Sequence, residues 1–129
     1  MTTAASPLHL SIIDDDPPVL FALTHLFSYD PRYTIHKTHS QLTTTGEPSP
    51  DLALVDLSTL PPDPTAPLTA FAAHHPNATI LILSAHPDLG AHHQTLLHAG
   101  AAAILAKPLH LSTLPDQVWQ VWNDLVANR

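Results

Sequence analysis

The chain contains no cysteine, which leaves it without a disulfide framework or a thiolate metal site and fits a cytoplasmic protein. Positive charge is also scarce. Four Lys and Arg stand against eleven Asp and Glu, a formal net charge of −7 at pH 7. That balance argues against direct binding to nucleic acid or to an anionic membrane, and the four cations form no stripe. No apolar run approaches the ~18 residues that span a bilayer. Residues 1–7 lack the basic and apolar segments of a signal peptide. Neither an internal repeat nor a linker interrupts the sequence, so residues 1–129 read as one domain.

What is present suits a folded core. Apolar residues make up 44% of the chain and charged residues 12%, and a chain of this length buries roughly two-thirds of its surface on folding. Fourteen Pro and eleven His are unusual. Imidazoles titrate near ~6.5, so the negative charge shrinks and solubility falls as the pH approaches the pI of about 5.8.

Leu8-His9-Leu10-Ser11-Ile12-Ile13 is an apolar, β-branched run ending at three acids, and it predicts a strand. Asp16-Pro17 reads as a helix N-cap followed by proline at the first helical position. Val19, Leu20, Leu23, Leu26 and Phe27 carry that helix to about Ser28. Residues 33–38 predict a more polar strand at a sheet edge. The run of Thr with Gly46, Pro48 and Pro50 allows only a short second helix near Gln41. Leu52-Ala53-Leu54-Val55 and Thr79-Ile80-Leu81-Ile82-Leu83 are wholly apolar, as strands covered on both faces are. Between them a Pro-rich loop precedes a third helix over about 68–74. Pro87-Asp88 starts a fourth helix that Gly100 stops. Ala103-Ile104-Leu105 predicts a fifth strand, and Ser112 caps a last helix to about Ala127. Such alternation means an α/β fold with a parallel sheet between two helical layers.

In an open parallel sheet, sites form beyond the carboxyl ends of the strands. Asp14-Asp15-Asp16 end the first strand, Asp56 the third, Ser84 the fourth and Lys107 the fifth. Clustered carboxylates repel unless a cation neutralises them, and oxygen-only ligands suit Mg²⁺. A carboxylate can attack phosphorus to form an aspartyl phosphate. Phosphoryl transfer then needs positive charge and donors around the equatorial oxygens, which Lys107 and the Ser84 hydroxyl supply.

Four stretches of the chain resemble the receiver domains of response regulators, the chemotaxis-regulator-like modules of two-component signalling. They are residues 12–17 (IIDDDP), 51–57 (DLALVDL), 79–85 (TILILSA) and 100–108 (GAAAILAKP). The resemblance implies a flavodoxin-like, doubly wound sheet of order 2-1-3-4-5. It makes Asp56 the phosphoacceptor, with Asp15 ligating Mg²⁺ directly, Asp14 through water, and the Ser58 backbone carbonyl completing the protein ligands. Ser84 and Lys107 would hold the phosphoryl oxygens, and the Lys107–Pro108 peptide would be cis. The donor would be a histidine kinase or phosphotransfer protein. Output would pass through the fourth helix, fifth strand and last helix to a downstream protein or a second copy. Such a module is not a conventional enzyme.

The sequence also departs from that pattern. Leu60 replaces the usual Pro four positions after Asp56, Pro61-Pro62 follow, and Ile104 stands where the switch aromatic is usual. These departures favour an alternative, a degenerate receiver acting as a phosphate-independent binding or dimerisation module; the receiver part of a longer transcriptional regulator is another. A Mg²⁺ phosphohydrolase would want an acid where Ser58 stands. His86, two residues beyond Ser84, lies near the mouth of the site, where it could tune water access. The adjacent His pairs diverge on a helix, and His36 and His39 point to opposite faces of a strand, so no zinc site is expected. Trp119 and Trp122 are not expected to face the core together.

Overall fold

Alternate residues of the central strands face opposite helical layers, and this alternation organises the fold. The structure, a computed structural model, describes residues 7–39, 41–42, 49–85 and 91–127. The strands are β1 (Leu8–Ile13), β2 (Tyr33–His39), β3 (Leu52–Asp56), β4 (Thr79–Ser84) and β5 (Ala101–Ala106). The helices are α1 (Pro17–Ser28), α2 (Thr65–His74), α3 (Ala91–Ala99) and α4 (Leu114–Ala127). All strands are parallel, as the alternation of elements predicts, in the order β2-β1-β3-β4-β5 that the receiver resemblance implies.

On one face, Leu10, Ile12, Leu52, Leu54, Leu81 and Leu83 pack with Leu23 and Phe27 of α1 and Leu114 and Val118 of α4. On the other, Ile13, Ala53, Val55, Ile80 and Ile82 pack with Leu68 and Phe71 of α2 and Leu96 and Ala99 of α3. Full burial of each large apolar side chain is worth about 1.5–3 kcal/mol. Two such layers give the strand tips a rigid base. No described helix is long and apolar enough to cross a membrane.

Several local expectations shift. Helix α2 begins at Thr65 rather than near residue 68, with Pro67 inside its first turn, where a missing N–H breaks no helical bond. Asp63 accepts the Thr65 N–H at 3.1 Å just ahead of it. Asp16 occupies the N-cap of α1 without a side-chain cap bond; Pro17 and Pro18 remove the N1 and N2 donors, and the remaining N3 amide of Val19 is not engaged by it. Ser112 lies in a single 3₁₀ turn (Leu111–Thr113), and α4 proper starts at Leu114. The expected second helix falls mainly on residues 43–48, outside the described residues; Gln41 and Leu42 themselves are not helical. The helix read as fourth is therefore α3, and its expected start at Pro87-Asp88 is also outside the described residues.

Both tryptophans pack against the α1/α4-side core, contrary to expectation. Three residues apart on a helix places side chains on neighbouring faces, and both rings lie half-buried at the rim. Trp119 meets Tyr33 edge-on at 6.1 Å, and the Arg32 guanidinium stands 5.4 Å from the Trp119 ring. Arg32 also grips Asp30 through Nε at 3.0 Å and Nη2 at 2.6 Å, and reaches Asp116 at 2.7 Å. The Tyr33 hydroxyl donates to the Pro115 carbonyl at 2.6 Å. Together these contacts clasp the start of the edge strand to α4.

Gly100 follows α3 at φ +129°, and a Cβ there would lie 3.0 Å from the Ala72 Cβ. Gly100→Ala is expected to lower stability by about 1–2 kcal/mol, read as a lower urea midpoint at unchanged slope. Asp30 gives a pH signature. Hydrogen bonds from Arg32, against the opposing effect of burial, hold its carboxyl below the usual value. Its contribution to stability is therefore present above about pH 4 and lost as the pH falls through the depressed folded value. Asp30→Asn should flatten that part of the acid limb in thermal melts; an unchanged limb would assign it to other carboxylates.

Candidate functional site

Strand register assembles the site. Ile13 lies opposite Val55, Asp56 opposite Leu83, and Ser84 opposite Ala106, so the residues ending each strand share one edge. The edge lies where the chain winds outward in two directions, from β1 to β2 and to β3, the usual place for a ligand in such sheets.

Asp56 is buried, at 5% exposure, and Lys107 Nζ reaches its Oδ2 at 2.9 Å. The Ser58 hydroxyl meets the same oxygen at 2.9 Å and Asp15 Oδ1 at 3.1 Å. The Ser58 N–H donates to Asp56 Oδ1 over a longer 3.4 Å. Asp14, 1% exposed, accepts the Asp16 N–H on Oδ1 at 2.9 Å. Its Oδ2 is the one buried side-chain oxygen among the described residues with no hydrogen-bond partner, and Lys107 Nζ stands 3.9 Å from it. One oxygen each from Asp14, Asp15 and Asp56 lie within 4.8 Å of one another. A cavity of about 270 Å³ beside them is lined by Asp56, Leu57, Ser58, Ala85 and Lys107.

The electrostatics split the two buried acids. Burial would raise the Asp56 carboxyl, but the hydrogen bonds from Lys107 and Ser58 outweigh it and hold the group below its usual value. Asp14 goes the other way. Burial pushes it up to about 6, the Asp16 N–H opposes this, and the charge of Asp56 adds to it. One lysine cannot neutralise three acids. An orphaned buried oxygen beside two more carboxylates fits a hard divalent cation such as Mg²⁺, which Asp14, Asp15 and Asp56 could hold.

The structure thus brings together four of the residues read from the strand ends, Asp14, Asp15, Asp56 and Lys107, with Ser58, which only the resemblance implied. Ser84 is buried at the adjacent tip, its carbonyl accepting the Lys107 N–H at 2.8 Å; Ala85, not Ser84, lines the cavity. His86 lies outside the described residues. Ile104 is half-buried against the α2/α3-side core. The Lys107–Pro108 peptide is trans, correcting the cis expectation. Trans is the intrinsically favoured isomer by about 0.5–1 kcal/mol, and Lys107 reaches Asp56 without the alternative. The Ser58 hydroxyl was not anticipated, since the sequence pointed only to its backbone carbonyl. Its place in a 3₁₀ turn (Leu57–Thr59) capped by Asp56, for which the sequence carries no periodic signal, turns residue 58 back toward the acid.

No family sequence model matches the chain, and no curated protein matches it in sequence. Solved structures do match its fold. A CheY-like response regulator receiver domain from Methanospirillum hungatei superposes with a TM-score of 0.75 at 19% identity, over 96% of this chain and 100% of that one. The receiver domain of the putative response regulator NarL from Mycobacterium tuberculosis gives 0.71 at 20% identity, over 90% and 96%. CheY from Borrelia burgdorferi, in a complex with CheX, BeF₃ and Mg²⁺, gives 0.72 at 21% identity, over 90% of each chain. The chain has the flavodoxin-like fold of response-regulator receiver domains.

Lys107→Met should move the Asp56 carboxyl upward in a carbon-detected NMR titration, because it removes the principal group that lowers it. A carboxyl that stays in place would show that the ion pair does not persist in solution.

Proposed function

We propose that the chain is a phosphoacceptor receiver in two-component signalling, with Asp56 as the residue modified. The observation that carries this reading is the 2.9 Å pair of Asp56 and Lys107 inside a cluster with Asp14 and Asp15. The fold likeness to receiver domains, one of them in a complex with BeF₃ and Mg²⁺, supports it. Asp56 is ionised, so its carboxylate can form an O–P bond as the P–N bond of a phosphohistidine breaks and the donor imidazole leaves with a proton. The donor is a histidine kinase or phosphotransfer protein.

Lys107 stays beside the reacting carboxylate and balances charge on the phosphoryl oxygens, and the Ser84 hydroxyl is the second donor toward them. Asp14, Asp15, Asp56 and the Ser58 carbonyl would hold Mg²⁺, which when bound neutralises the clustered acids and the phosphoryl oxygens. The modified Asp56 carries about one to two added negative charges, and rearrangement around Ser84 and Lys107 passes to the face of α3, β5 and α4. The output is a changed preference for a downstream protein or a second copy. The chain takes part in its own modification and is not a conventional enzyme. This reading places it in the cytoplasm.

A second reading is favoured by Ile104. It packs against the α2/α3-side core and has no ring to rotate, which suits a phosphate-independent binding module. Incubation with Mg²⁺ and acetyl phosphate decides between them. The intact protein should gain the mass of one phosphoryl group, Asp56→Asn should gain none, and Lys107→Ala should react roughly 100-fold more slowly. No gain at saturating Mg²⁺, with no thermal shift from beryllofluoride, would favour the binding module.

A further inference from the structure

The Ser58 hydroxyl has a single proton and two carboxylate oxygens beside it, Asp56 Oδ2 at 2.9 Å and Asp15 Oδ1 at 3.1 Å. An ionised carboxylate only accepts, so at any instant one of the two oxygens faces the lone pairs of Ser58. Asp56 Oδ2 already receives Lys107 Nζ at 2.9 Å. Asp15 is different. It is exposed on the turn after β1, and water is a ready alternative partner for its carboxylate. The hydroxyl draws it inward over Asp56 instead.

A divalent ion that bridged these same two oxygens would need the space the hydroxyl fills. Mg²⁺ requires its ligand oxygens at about 2.0–2.1 Å in a near-octahedral arrangement, so lone pairs now turned to Ser58 would have to turn to the ion. We propose that the Ser58 hydroxyl competes with the divalent cation for Asp15 and Asp56, and so sets the cation affinity of the chain. The inference rests on reading the three acids as a cation site. It concerns the side chain only, because the Ser58 carbonyl belongs to the backbone and survives substitution.

Isothermal titration of the full chain with MgCl₂ tests it. Ser58→Ala should bind Mg²⁺ about three- to tenfold more tightly than the parent chain, as expected when one charge-assisted hydrogen bond no longer has to be displaced. Ser58→Thr, which keeps the hydroxyl, should stay at the parent value. Thermal melts without added Mg²⁺ provide the second readout: Ser58→Ala should be no more stable than the parent, so that the tighter binding is not a by-product of a firmer fold. Equal or weaker binding by Ser58→Ala, beside a parent chain that does bind, would overturn the competition and make the hydroxyl neutral or a ligand. A parent chain that binds no Mg²⁺ at all would overturn the cation site itself, and the competition with it.

Discussion

The ion pair of Lys107 and Asp56 is the interaction on which the strand-tip arrangement depends. Three carboxylates meet there with oxygens inside 4.8 Å, and two of them are almost wholly withdrawn from water. Like charges at such separations repel by about 4 kcal/mol per pair at the effective dielectric typical of protein surfaces. Lys107, itself anchored through its N–H to the Ser84 carbonyl, supplies the local opposing charge. Its placement in turn depends on the register between β4 and β5, so a backbone ladder fixes where the ammonium stands.

That strained edge is tolerated because the rest of the sheet is apolar on both faces. In β3, four apolar residues precede Asp56, and in β4 only Thr79 and Ser84 interrupt the apolar character. Burial of these side chains against α1 and α4 on one side, and α2 and α3 on the other, holds the strands that carry the tips. The Arg32 clasp adds a separate restraint on the edge strand β2, which has the fewest buried residues of the sheet's first four strands. Core and site are thus distinct in chemistry yet joined along the strands: β3 and β4 end in Asp56 and Ser84, and the acids and Lys107 follow directly on the last residues of β1 and β5.

Strand position, helical layering and the convergence of Asp14, Asp15, Asp56 and Lys107 could all be read from the sequence, because each follows from an apolar run and the residue that ends it. What could not be read depends on local geometry. The Ser58 hydroxyl faces the acids because Asp56 caps a 3₁₀ turn, a feature without periodicity. Pro67 reads as the end of the Pro-rich loop, yet it sits in the first turn of α2, where its missing N–H is harmless. Trp119 and Trp122 share a rim because α4 buries a broad face rather than a narrow stripe. The cis expectation at Pro108 came from resemblance alone, with no local residue demanding it.

The two prolines that open α1 carry a consequence for the acids beside them. A helix start ordinarily points several free amide hydrogens outward, and anions nearby use them as solvation. Pro17 and Pro18 remove two of these, immediately after the acid triplet. The neighbouring carboxylates therefore draw less help from this helix start than a proline-free one lends, which leaves the Asp16 N–H, Lys107 and whatever cation the surrounding solution provides to compensate them.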